Sequence, residues 1–269
     1  MSSLGIPLSS ISASRHATTA LALLPAFIPV AYVVYTNWAV QRNTSSVAGR
    51  LPPHDDESSP ERSHPKEPYS LPAKVKESLS EWIVSYERVV SYPCPTSSLA
   101  YLPDQPTTSA QAQATQPSSL LLAWLRTTHR AFSWTPQAFI IRSALSEPLN
   151  KGSFDAKWID NLDFKPGDVV NGVYSVSSHV RDDSTGSERA ELLFDIPPSY
   201  KGPSVRGLIL SSIEPVTSSS NEAIIFVNET WMWRRADEKP TLLESPFGKW
   251  FHRLLAGWLI MKGIKGVTA

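Results

Sequence analysis

The sequence predicts an α+β domain: a curved antiparallel sheet packed on a long C-terminal helix, preceded by helices, with an N-terminal transmembrane helix. Three observations carry this reading. Residues 169–235 fall into four stretches of period-two alternation separated by short turns. Residues 245–263 combine a cap, a leading proline and one apolar stripe. Between Arg15 and Arg42 there is no formal charge apart from His16, and Ala17 to Tyr35 is almost wholly apolar.

Taken in order, residues 1–16 are a tail and residues 17–40 the expected anchor, since a bilayer core is crossed by roughly 20 apolar residues. The run exceeds the apolar region of a cleaved signal peptide and has no clear small-residue cleavage site. Pro25 and Pro29 are tolerated in a lipid-embedded helix, and Tyr32, Tyr35 and Trp38 suit an interfacial aromatic belt. Arg15 on one side against Arg42 and Arg50 on the other leaves orientation open. The expected location is a single-pass membrane protein of the endoplasmic reticulum or another endomembrane. Residues 41–70 are rich in Pro, Ser and charge and poor in large apolar side chains, so they read as a disordered linker. Residues 71–269 form the folded domain.

Within that domain, Ser70 caps and Pro72 opens a predicted helix carrying Val75, Leu79, Trp82, Ile83, Tyr86, Val89 and Val90 on one face. A Thr-, Gln-, Ala- and Pro-rich stretch from Pro103 to Pro117 reads as an internal loop. A second helix covers Leu120 to Arg130 behind Ser118-Ser119. A third begins at Thr135-Pro136 and includes Phe139, Ile140 and Leu145, with a strand as the alternative there. Strands follow at Val169–Arg181, Glu188–Ile196, Val205–Glu214 and Ala223–Arg235. Their connections are too short for crossover helices, so the sheet is an antiparallel meander. Ser245 and Pro246 then open the final helix, with Phe247, Trp250, Phe251, Leu254, Leu255, Trp258 and Leu259 as its stripe and Gly263 as its stop.

Composition narrows the function. The 269 residues carry 25 basic and 25 acidic side chains, so nothing marks a nucleic-acid partner. A single cysteine, Cys94, excludes an internal disulfide and a thiolate cluster. The six histidines (His16, His54, His64, His129, His179 and His252) lack metal-ligand spacing, and no dinucleotide, phosphate-loop or nucleophile-elbow motif occurs. No cofactor and no metal are expected.

A bent sheet closed by a terminal helix is a way to build an apolar cavity. The arrangement resembles the helix-grip (START/SRPBCC-like) superfamily. The cone-shaped fold of the nuclear-transport-factor class is the competing resemblance, and the terminal helix argues against it. The segment Val227-Asn-Glu-Thr-Trp-Met-Trp-Arg-Arg235, followed by Leu242-Leu-Glu and a Trp/Leu-rich helix, is similar to fungal proteins encoded beside polyketide or terpenoid pathway enzymes. That resemblance covers the C-terminal half and implies a pathway context, with no assigned residues.

Alternation in the last strand puts Ala223, Ile225, Val227, Glu229, Trp231 and Trp233 on one face, the more apolar one. Glu229 is therefore expected in an apolar surround that raises its pKa and fits it for proton transfer, or else in a structural ion pair with an Arg or on the exposed face. Tyr174 points inward from the first strand and would polarise a carbonyl, or else is simply packed there with its hydroxyl satisfied, while His179 falls on the polar face unless a bulge shifts the register. Arg206 shares parity with Leu208 and Leu210 and would enter the cavity from its strand end, or sit on the rim. Sequons at Asn43 and Asn228 are candidate glycosylation sites.

The expected function is that of a membrane-anchored protein of a fungal specialised-metabolite pathway, promoting cofactor-independent cyclisation, isomerisation or dehydration of a hydrophobic small molecule. Glu229, Tyr174 and Arg206 are its catalytic candidates. Its expected partners are that molecule, the membrane and other pathway enzymes. The alternatives are a non-catalytic carrier of lipid or hydrophobic metabolite, and a membrane scaffold for pathway enzymes.

Overall fold

The structure, a computed structural model, describes residues 29–51, 65–101, 116–182, 184–217 and 222–269. The chain divides into two units, Met1–Arg42 and Asn43–Ala269. In the first, the described residues form helix α1 over 29–43, with Val30, Val34 and Tyr35 exposed. No helix among the described residues is long and apolar enough to cross a membrane. Residues 17–28, half of the expected anchor, lie outside the described residues.

The second unit is α+β, with an antiparallel sheet and a long C-terminal helix, as the sequence predicts. Its strands are β1 (Thr44–Leu51), β2 (Trp82–Ser91), β3 (Cys94–Pro95), β4 (Val169–Val170), β5 (Tyr174–Asp182), β6 (Ser187–Phe194), β7 (Gly207–Thr217) and β8 (Glu222–Arg235). They form one sheet in the order β1-β2-β8-β7-β6-β5-β4, with β3 also pairing β8, and every pairing is antiparallel. The helices are α2 (Ala73–Glu77), α3 (Ser119–Phe132), α4 (Pro136–Ala144), α5 (Pro148–Gly152), α6 (Ala156–Asp160) and α7 (Pro246–Val267).

Several elements follow their sequence signals. The Ser118 side chain accepts from the Leu121 N–H, Thr135 from Ala138 and Ser245 from Gly248, so three of the helices carry side-chain N-caps. The third predicted helix takes its helical form. β6, β7 and β8 lie where alternation puts them.

Other elements differ. Residues 44–51, read as linker, pair with β2 as β1, while residues 52–64 of that linker and 103–115 of the internal loop lie outside the described residues. The helix expected through Val90 stops at Glu77, and Trp82–Ser91 is a strand. Both faces of β2 are buried, so its apolar residues run together and imitate a helical stripe; its β-branched and aromatic content favours extended chain. The expected strand 169–181 breaks at Asn171-Gly172, where both residues have positive φ (50° and 72°) and turn β4 back on β5. Finally, Gly263 does not stop the last helix, which runs to Val267. A Cβ at Gly263 would lie 2.3 Å from the Trp124 Nε1 on α3, so this glycine serves close helix packing.

The sheet is covered on both sides. On one face α3 and α7 enclose a core that includes Trp124, Phe226, Leu192 and Ile260. On the other, Leu71 and Val75 cover Val84, Tyr86, Leu210, Trp231 and Trp233.

Candidate functional site

The register of the central strands fixes what faces α7. Glu87 on β2 pairs with Thr230 on β8, and Val89 pairs with Asn228. Side chains alternate, so Glu87, Thr230, Asn228 and Met232 share the helix-covered face, while Arg88, Glu229 and Trp231 point the other way. His252 lies on α7 in phase with Gly248, Leu255, Ala256 and Leu259. Its Nδ1 meets the Glu87 carboxylate, and the Glu87 residue is only 2% exposed. In the tautomer whose Nδ1–H donates to Glu87, Nε2 is the ring's acceptor atom.

His252 borders a cavity of about 220 Å³ between the sheet, α4 and α7. Its walls are mostly apolar: Phe132, Phe194, Met232, Leu255 and Leu259 all contribute. The polar groups are few. Besides His252, Asn228 and Thr230 approach from β8, Tyr174 from β5, Gln137 from α4 and Tyr200 from the loop after β6. The Thr230 hydroxyl is buried without a hydrogen-bond partner among the described residues. One imidazole, oriented by a carboxylate and set in an apolar chamber, is a general base that can remove a proton from a bound molecule.

The three predicted catalytic residues are not brought together. Tyr174 does line the cavity, with its ring packed edge-on against Phe132 and Phe194 at 5.8 and 5.4 Å. Burial pushes its hydroxyl pKa up, so it remains a protonated donor. Glu229 is buried as expected, but on the face away from α7. The apolar parity chosen for β8 is a genuine core face, covered by α2 and its flanks; because both faces of β8 are buried, apolarity alone did not say which one meets the final helix. There Glu229 pairs with Arg88 and accepts from the Trp231 Nε1 at 3.0 Å, which is the ion-pair alternative. Burial pushes its pKa up, against the pull of Arg88. Arg88 in turn holds Glu214 at 2.8 Å, and although burial works against its charge, Glu229 and Glu214 raise its pKa. Arg206 is not among the residues that line the cavity: it pairs with Glu238 and lies over the ring of Trp82, a member of the core on the opposite face of the sheet, at 5.2 Å.

Arg88, Glu214 and Glu229 floor a polar cleft of about 640 Å³ on that outer face. Its central charges satisfy one another, which makes it a structural network. Asn228 is 6% exposed beneath α7, so its sequon is closed to a glycan in the folded chain, whereas Asn43 is exposed.

Two other histidines are buried. A bulge in β5 between Val176 and Ser178 shifts the register, so His179, expected outside, is enclosed and meets Glu188 at 2.7 Å. His129 is enclosed with Nδ1 2.7 Å from the Asn171 Oδ1, and burial lowers its pKa to about 4 despite that contact. Neither lines the cavity.

The sequence reading therefore missed Glu87 and His252. Reading 82–91 as a helix concealed the alternation that aims Glu87 at α7. His252 was visible as a histidine within the apolar stripe of the last helix, a position where burial requires a partner. No protein-family model matches the chain, and no curated protein matches it.

Proposed function

We propose that this protein binds a compact, largely apolar molecule in the cavity beneath α7 and moves a proton at carbon on it. The Nε2 of His252 acts as the base, and Glu87 holds the ring in the required tautomer. The observation that carries this reading is the His252–Glu87 contact at the wall of an otherwise apolar chamber. Isomerisation, dehydration and cyclisation of an activated carbon skeleton each begin with such a transfer, and none needs a cofactor. Asn228 and Tyr174 supply donors for an oxygen that gathers charge as the proton leaves.

The size of the chamber supports a small ligand. A 150 Å³ apolar cavity takes benzene, and pockets for drug-sized ligands start near ~300 Å³. A chamber of about 220 Å³ suits one or two rings rather than a long lipid. The uncharged N-terminal run supports attachment to a membrane. The resemblance of the C-terminal half to fungal proteins encoded beside polyketide or terpenoid enzymes supports a place in such a pathway.

The test uses 1-tetralone, a compact bicyclic ketone, and follows deuterium entry next to its carbonyl in heavy water by NMR. The wild-type chain is expected to accelerate exchange. His252→Gln and Glu87→Gln should each reduce the acceleration by roughly 10²-fold or more, while Glu229→Gln should leave it unchanged. No acceleration by the wild type, or full activity in His252→Gln, would overturn the reading.

A further inference from the structure

Several exposed apolar side chains of Asn43–Ala269 stand on or beside the short elements that also supply lining residues of the cavity. Trp134 is 77% exposed, and α4 and α5 follow with Phe139 at 54%, Ile140 at 66% and Leu149 at 65%. On α4 the inward positions are Ala138, which is buried, and Gln137 and Ile141, which line the cavity. One short helix is therefore both a lip of the chamber and the bearer of an outward apolar face. Val205 and Leu242 also line the chamber and are themselves exposed, and the exposed Phe247 stands at the start of α7. Exposed apolar side chains are thus contiguous in the chain with the apolar lining of the chamber.

We propose that this rim seats on the surface of a lipid bilayer, so that an apolar ligand passes from hydrocarbon into the cavity without crossing water. The inference rests on the ligand-cavity reading above. Lysines sit beside the apolar side chains: Lys151 two residues after Leu149, Lys249 two after Phe247, and Lys201, whose backbone N–H bonds the last carbonyl of α4, that of Ala144. Aromatic and aliphatic tips interleaved with lysines match the interfacial zone of a membrane containing anionic lipid, where the tips enter the acyl boundary and the ammonium groups meet headgroup charge. Glu147 in the same stretch is engaged by the Ser199 hydroxyl. The uncharged Ala17 to Tyr35 run and the exposed apolar side chains of α1 favour a bilayer over a soluble partner.

The test attaches a polarity-sensitive fluorophore to the full chain in a Cys94→Ser background. The label is placed at Phe139→Cys, or at Ser184→Cys on the β5–β6 turn as the control. Vesicles of phosphatidylcholine and phosphatidylserine carry a lipid-bound quencher. The label at 139 should shift blue and be quenched when vesicles are added, while the label at 184 stays in water. If both labels stay in water, the chain is at most tethered by its N-terminus and the proposal fails. If the label at 139 is shielded before vesicles are added, a second copy or another part of the chain covers the face, and the proposal fails in that case too. The readout needs neither ligand nor turnover, so it stands apart from a failure of the proton-transfer reading.

Discussion

Glu229 is 2% exposed between Arg88 and the Trp231 indole, and both of its oxygens are engaged. Glu229→Gln leaves a neutral group against a largely buried guanidinium that still holds Glu214. The expected loss is about 2 kcal/mol of stability, with no change in proton transfer under α7; denaturant unfolding and the exchange assay read the two effects separately. His129 gives a pH effect instead. Its folded pKa of about 4 lies below the unfolded value of about 6.5. Below pH ~6.5 the unfolded chain takes up a proton that the folded chain refuses. This term is therefore absent above about pH 6.5, costs a growing amount as pH falls, and levels at roughly 3 kcal/mol near pH 4. Urea unfolding at about pH 7 and about pH 4.5 should show the slope, and His129→Gln should remove its share.

At the scale of elements, the crossing of α3 and α7 depends on the absence of a side chain at Gly263. Alanine normally favours a helix interior over glycine by up to ~1 kcal/mol. Here its methyl group would meet Trp124 Nε1 at 2.3 Å and Thr128 Oγ1 at 2.6 Å, in a region where Trp124 is fully buried. Gly263→Ala should therefore destabilise by roughly 1–3 kcal/mol net, seen as a lower thermal midpoint. Whether elements were legible in the sequence follows from burial. β6 and α7 have periodic or capped signals that survive in the fold. β1 was hidden by its Ser- and Thr-rich sequence, Thr44-Ser-Ser-Val-Ala-Gly-Arg-Leu51, which pairs through its backbone at the sheet edge. β2 was hidden for the opposite reason, having too many apolar residues on both faces for a period to stand out.

For the whole molecule, the α+β class, the sheet's antiparallel sense and the closing helix were all readable from the sequence, because each rests on local patterns of alternation, turns and caps. The strand order was not. β8 pairs with β7, its neighbour in sequence, on one side and with β2, from the start of the domain, on the other. That insertion puts Glu87 under His252, a contact between residues 165 positions apart. No local period encodes such a separation, so Tyr174, placed by its own strand's alternation, reached the cavity wall, and the Glu87–His252 pair did not emerge.

The central place of β8 also sets an order of events as the chain leaves the ribosome. Before residues 222–235 emerge, β1–β2 and β4–β7 are separate ribbons, each with a bare edge of unpaired amides and carbonyls that invites mispairing. Strand β8 joins the two, and helix α7 after it closes the chamber. A chain cut short before them would have neither a finished sheet nor a roof.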